Sequence, residues 1–169
     1  MDFMKEALSE AYNGIENRHG GPFGTVIVKD GKIVGRGHNK VLLKRDPTCH
    51  GEMEAIRDAC KNLDTFDLSG CELYTTAEPC PMCLGAILWA NIKKVYFGCT
   101  QKDTAEIGFR DEQFYDYLHG KADILSFSEC ERAECLKLFS DYSEKNIQRY
   151  WRIMHTDQLM ADIPVYAEK

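Results

Sequence analysis

The sequence predicts one α/β domain with its sheet held between helical layers. Through residue 98, strand-like runs alternate with runs of helical apolar spacing. Lys29-Asp30-Gly31 stands between two β-rich runs, a hairpin signal. The 169-residue length is enough for one domain with a full hydrophobic core.

Each element follows from local pattern. Residues 3–16 predict an amphipathic helix: Phe3, Met4, Ala7, Leu8, Ala11, Tyr12 and Ile15 recur at helical spacing, and His19-Gly20-Gly21-Pro22 ends it. Residues 23–28 and 32–37 predict the hairpin strands. A polar loop over 39–48 leads to a helix from about 50 to 62. Residues 71–76 predict a strand, and 80–90 a helix whose prolines suit a first turn. Residues 94–98 predict a short buried strand. Beyond it the pattern weakens. Residues 111–118 read as helix, 122–127 as a fifth strand, 128–140 and 144–154 as helices, and 156–169 as a tail without a period. With no repeat, low-complexity run or linker, the expected organisation is one domain over 1–155 and a C-terminal tail over 156–169.

The formal net charge of -6 disfavours a broad nucleic-acid surface, which needs excess Lys and Arg to displace counterions from phosphates. The N-terminus lacks the apolar run of a signal peptide, and no stretch suits a membrane span, so a cytoplasmic protein is expected. The eight cysteines are then expected as thiols. Cys60, Cys71 and Cys99 read as small core residues, and Cys130 and Cys135 as structural.

Two short segments carry chemistry: Cys49-His50-Gly51-Glu52 and Glu78-Pro79-Cys80-Pro81-Met82-Cys83. A catalytic zinc ion takes three protein ligands from His and Cys and leaves a fourth position for water. Cys80 and Cys83, i and i+3 at a helix start, point to one side of its first turn, and the positive helix end favours thiolates. His50 and Glu52 are two apart, which inside a helix sends them to nearly opposite faces. Both can face one pocket only if the helix begins at His50. Each segment has a plainer reading, a redox Cys pair or a capping His. Together, in this order, they match the known H-x-E…P-C-x-x-C signature of zinc deaminases.

On these residues the chain resembles the cytidine and deoxycytidylate deaminase superfamily, most closely its guanine deaminase branch. The resemblance runs from about Glu6 to about Leu118. Its most specific stretches are Gly20-Gly21-Pro22-Phe23-Gly24, Asp46-Pro47-Thr48, Glu54-Ala55-Ile56-Arg57, Leu73-Tyr74-Thr75-Thr76, residues 78–87 and Ile107-Gly108-Phe109. The resemblance implies a three-layer α/β/α fold with a central five-stranded mixed sheet, homodimers or larger oligomers, and hydrolytic removal of an exocyclic amine from a small heterocycle. It implies Zn2+ held by His50, Cys80 and Cys83, with Glu52 as proton shuttle. It places Asn39, Phe23, Gly51 and Trp89 at substrate-binding positions and Asp111 as a second acidic catalytic residue. Guanine deaminases usually carry Ala where this chain has Gly51, and His-Gly-Glu with Gly35-Arg36-Gly37-His38-Asn39 is also similar to cytosine deaminases.

The expected reaction is guanine to xanthine plus ammonia. Alternatives within the chemistry are cytosine, a nucleoside or a triazine. Editing of tRNA adenosine shares Asp46-Pro47-Thr48 and the Pro-Cys-x-x-Cys core, but the net charge of -6 argues against a polyanionic substrate. A non-catalytic zinc scaffold is the rival from another class, and it has no use for Glu52.

Overall fold

A computed structural model of the chain describes residues 2–145. They form two compact units, one ending at Ile124 and one beginning at Leu125. The first is built on a mixed sheet with strand order β2-β1-β3-β4. Strand β1 (Gly24–Lys29) pairs antiparallel with β2 (Lys32–His38) and with β3 (Glu72–Ala77), and β4 (Lys94–Cys99) runs parallel to β3. Asp30 and Gly31 both take positive φ (49° and 71°), the geometry of the tight β1–β2 turn.

Strand β1 is buried on both faces, which accounts for its run Thr25-Val26-Ile27-Val28. Val26 and Val28 face helix α1 (Phe3–Glu16), which Asp2 caps and whose Ala7 fits against them, with Phe3 and Met4 alongside. Ile27 faces the other way, into a core with Leu68, Leu73, Ala55 and Ala59 of α3 (Gly51–Leu63) and Ile87 of α4 (Pro81–Trp89). Helices on both faces of a sheet make the expected three layers.

The expected five-stranded sheet is corrected to four strands among the described residues. Residues 122–127 form no strand, and Ile124, Leu125 and Phe127 are exposed. An apolar run becomes a strand only where a ladder receives it. Strand β4 is also not the buried strand expected: Val95 alone is half-buried, while Tyr96 and Phe97 are exposed. As an edge strand it sends only Val95 against the core, while Tyr96 stacks on Tyr74 of the neighbouring strand. Two short helices were not foreseen, α2 (Val41–Lys44) and α5 (Gln101–Glu106). Helix α6 (Asp111–Leu118) lies where expected. In the second unit α7 spans Arg132–Glu144, a few residues beyond the expected 128–140, with a Lys137–Asp141 pair at 2.8 Å. The helix expected over 144–154 and the tail over 156–169 lie outside the described residues. No described helix is long and apolar enough to cross a membrane.

A buried carboxylate ties α3 to the loop before it. Glu54 receives Lys44 at 2.7 Å, Arg57 at 2.7 Å and Lys40 at 3.4 Å. Burial alone would raise its pKa, but the hydrogen bonds from Lys44 and Arg57 outweigh burial and hold it at about 2, against 4.5 for an ordinary Glu. A depressed carboxyl stabilises the fold above the unfolded pKa and loses that contribution as pH falls toward the folded one. With half-exposed cations the contribution is about 2 kcal/mol. Glu54→Gln should therefore unfold about 2 kcal/mol more easily than wild type at pH 7. In denaturant titrations that gap should close between about pH 4.5 and pH 2; a gap that persists at pH 2 would show that the carboxylate charge is not its source.

Candidate active site

Helices α3 and α4 begin side by side, and each places a donor at its cap. His50 (φ -72°, ψ 163°) and Cys80 (φ -67°, ψ 167°) are both extended N-cap residues. Because His50 precedes the helix, its ring and the Glu52 side chain two residues later turn into one pocket, as the boundary at His50 requires. Cys83, on the first turn of α4, completes the group. The Cys80 and Cys83 Sγ atoms each lie 3.6 Å from His50 Nδ1, and the three donor atoms lie within 4.8 Å of one another. Bonds of ~2.3 Å to sulfur and ~2.0 Å to nitrogen at a tetrahedral angle place S and N about 3.5 Å apart, close to the separation found. The donor set and its spacing therefore suit a tetrahedral metal ion.

The electrostatics are those of a buried, proton-sharing cluster. The Cys83 thiol and the His50 ring pull the Cys80 thiol down to about 4. The Cys83 thiol is pushed up by its hydrogen bond with Cys80 and by burial, and the His50 pKa is raised, first by its bond to Cys80. Burial pushes Glu52 up to about 7, and the negative Cys80 adds to it. Burial also raises Asp111, again with Cys80 beside it.

Nine residues line the cavity: Phe23, Asn39, His50, Glu52, Ala77, Glu78, Cys80, Phe109 and Asp111. It shares Asn39, His50, Phe109 and Asp111 with an outer groove of about 580 Å³. Phe23 meets Phe109 edge to face, centroids 4.7 Å apart. The Asn39 amide N–H donates to the Phe23 carbonyl at 2.8 Å, and its Oδ1 accepts from Val41 N at 3.2 Å. Gly20 is required here, since a Cβ would collide with the Asn39 side chain.

Behind Asn39, His38 Nδ1 lies 3.2 Å from a Glu10 carboxylate oxygen and its Nε2 lies 2.8 Å from His19 Nδ1. The two imidazole centroids are 5.1 Å apart with planes within 14°. At that nitrogen separation the rings lie edge to edge in one plane, joined by a hydrogen bond and not stacked.

Of the residues expected at the site, His50, Cys80, Cys83, Glu52, Asp111, Asn39 and Phe23 come together. Two do not. Trp89 ends α4, ~13 Å along the axis from Cys80, and is largely exposed. Gly51 is buried on the first turn of α3, and a Cβ there would face the Phe23 carbonyl and Thr25 Oγ1 at 3.1 Å instead of the cavity. Phe109 and Glu78 line the cavity without having been singled out as site residues. Both sit in motifs already visible, Ile107-Gly108-Phe109 and Glu78-Pro79-Cys80, but nothing local distinguishes a lining residue from a packing one. The Glu78 carboxylate also accepts from Gln101 N at 3.2 Å, at the start of α5.

A donor cage at two helix starts, with a buried carboxylate against it in a closed pocket, defines a hydrolytic aminohydrolase. The chain belongs to the cytidine and deoxycytidylate deaminase family, whose zinc-binding region matches residues 1–99. It is similar to the guanine deaminase of Bacillus subtilis (strain 168), 51% identical over 113 residues, covering 67% of this chain and 72% of that one. It is similar to the tRNA-specific adenosine deaminase of Aquifex aeolicus (strain VF5), 47% identical over 100 residues, covering 59% of this chain and 66% of that one. Among solved structures, the X-ray structure of the Bacillus subtilis guanine deaminase superposes with a TM-score of 0.79 at 40% identity, covering 88% of this chain and 96% of that one.

The height of α3 above the sheet depends on Gly37. A Cβ there would strike the backbone of Ala55 and Gly51, so α3 packs directly on β2 only because the position is bare. Gly37→Ala should cost about 1–3 kcal/mol in stability, read by denaturant unfolding, and should weaken metal binding by displacing His50. Unchanged values of both would mean that α3 is positioned by other contacts.

Proposed function

We propose that this protein is a zinc-dependent guanine deaminase that converts guanine and water to xanthine and ammonia. The observation that carries the reading is the Glu52 carboxylate, buried beside the His50–Cys80–Cys83 cage, in a chain 51% identical to a guanine deaminase over 113 residues. His50, Cys80 and Cys83 would hold the zinc ion, which when bound would bring the pKa of water toward neutrality. Glu52 accepts a proton as the water oxygen attacks guanine C2, and delivers it to the ring nitrogen beside C2. Glu52 then carries the second water proton to the exocyclic amine, which leaves as ammonia. Burial raises this carboxyl above the usual carboxylate range, the direction that lets it hold a proton between the two transfers. Asn39 orients the base, the Phe23–Phe109 pair walls its pocket, and Asp111 is the second acidic group. A free base fits a chain of net charge -6 better than a polyanion does. The reading includes a cytoplasmic homodimer and a catalytic domain over 1–155. Leu84, Leu88 and Trp89, exposed on α4, support self-association.

Ammonia release from guanine, cytosine, guanosine, triazines and tRNA tests the substrate. Guanine should give the highest kcat/KM and tRNA none. A higher value for cytosine or a nucleoside would replace guanine and keep the deaminase.

The purified protein should carry about one zinc per chain, and Cys83→Ala should lose both metal and turnover. Metal analysis showing full occupancy in that variant would place the ligands elsewhere. Glu52→Gln should keep its zinc and its fold while turnover falls about a hundred- to ten-thousandfold. A variant within about tenfold of wild type would remove Glu52 from the proton path.

A further inference from the structure

Asp111 and Tyr115 stand four residues apart on α6 and so share one face of it. Asp111 lines the cavity, while the Tyr115 hydroxyl donates to the Pro79 carbonyl at 2.8 Å. Pro79 is bonded to Cys80, the metal-facing cap of α4. One hydrogen bond thus joins the helix that carries the second acidic group to the loop that carries a cage donor.

Otherwise α6 packs on α5 and α4. None of its residues is fully buried, its cap residue Arg110 makes no side-chain capping bond, and it follows Gly108 at φ 92°. No described side chain hydrogen-bonds the Asp111 carboxylate. The carboxylate is therefore only as well placed as the helix itself.

We propose that Tyr115 is a positioning residue for deamination, its hydroxyl holding Asp111 at a set distance from the donor cage. This rests on the reading above that Asp111 takes part in turnover. Catalytic groups need placement within about 0.5 Å, and a displacement of ~1 Å costs on the order of a hundredfold in rate.

The test is a double-mutant cycle on the zinc-loaded protein, with kcat and KM measured for guanine in wild type, Tyr115→Phe, Asp111→Asn and the double variant. Tyr115→Phe keeps the ring and deletes only the bond. It should lower kcat about ten- to a hundredfold with KM nearly unchanged and zinc retained. In the Asp111→Asn background the same change should have less than about threefold effect, because the residue acts through Asp111. Equal losses in both backgrounds would overturn the proposal and leave Tyr115 a general support. Full activity of Asp111→Asn would overturn it together with the Asp111 role, leaving the deaminase reading to stand on Glu52→Gln. If guanine is not a substrate at all, crystal structures of wild type and Tyr115→Phe decide. The Asp111 carboxylate should move by ~1 Å relative to Cys80 Sγ, and a carboxylate unmoved within about 0.5 Å would overturn the proposal.

Discussion

Everything at this site depends on two segments of the chain entering their helices in extended conformation at adjacent points. A donor one residue further into either helix would point away from its partners. The sheet brings the two starts together. Strands β2 and β3 run in the same direction on either side of β1, so the segments that leave them for α3 and α4 emerge at one edge of the sheet. The bare positions in β2 then let α3 sit close enough for His50 to meet the two thiols.

The first turn of α3 also shows how one residue type is given two characters. Glu52 and Glu54 are both nearly inaccessible and two residues apart. Glu52 faces sulfur and an imidazole in a closed cavity, where burial dominates and the carboxyl holds its proton to about 7. Glu54 points the other way, into the amino and guanidinium groups of Lys40, Lys44 and Arg57, and is ionised down to about 2. The i, i+2 offset on a helix is what separates them. A proton-handling group and a structural anchor therefore share one turn without disturbing one another.

Much of this was legible in the residues. Periodicity found α1 to its ends, and the hairpin followed from Asp30-Gly31. The cage and its carboxylate were readable because metal chemistry constrains residue type and spacing together. The failures share a cause. The apolar content of 94–98 and 122–127 implied burial, but burial depends on which neighbours arrive, and a short run does not encode them. Helix α5 was missed although Thr100 and Asp103 form its capping box, since six residues hold too little periodicity to be noticed. Trp89 was assigned by motif position, whereas its place at the end of α4 follows from helix rise alone.

The in-plane pair of His19 and His38 is a joint between residues far apart in the chain. The Glu10 carboxylate selects the tautomer with the His38 proton on Nδ1, so His38 Nε2 accepts from His19 Nδ1–H. The joint fastens the end of α1 to the end of β2, and the His19 carbonyl holds the amides of Leu42 and Leu43 at 3.0 Å. The wall that carries Asn39 is thus clasped by a single imidazole–imidazole bond, which ties the exit of one helix to the exit of a strand.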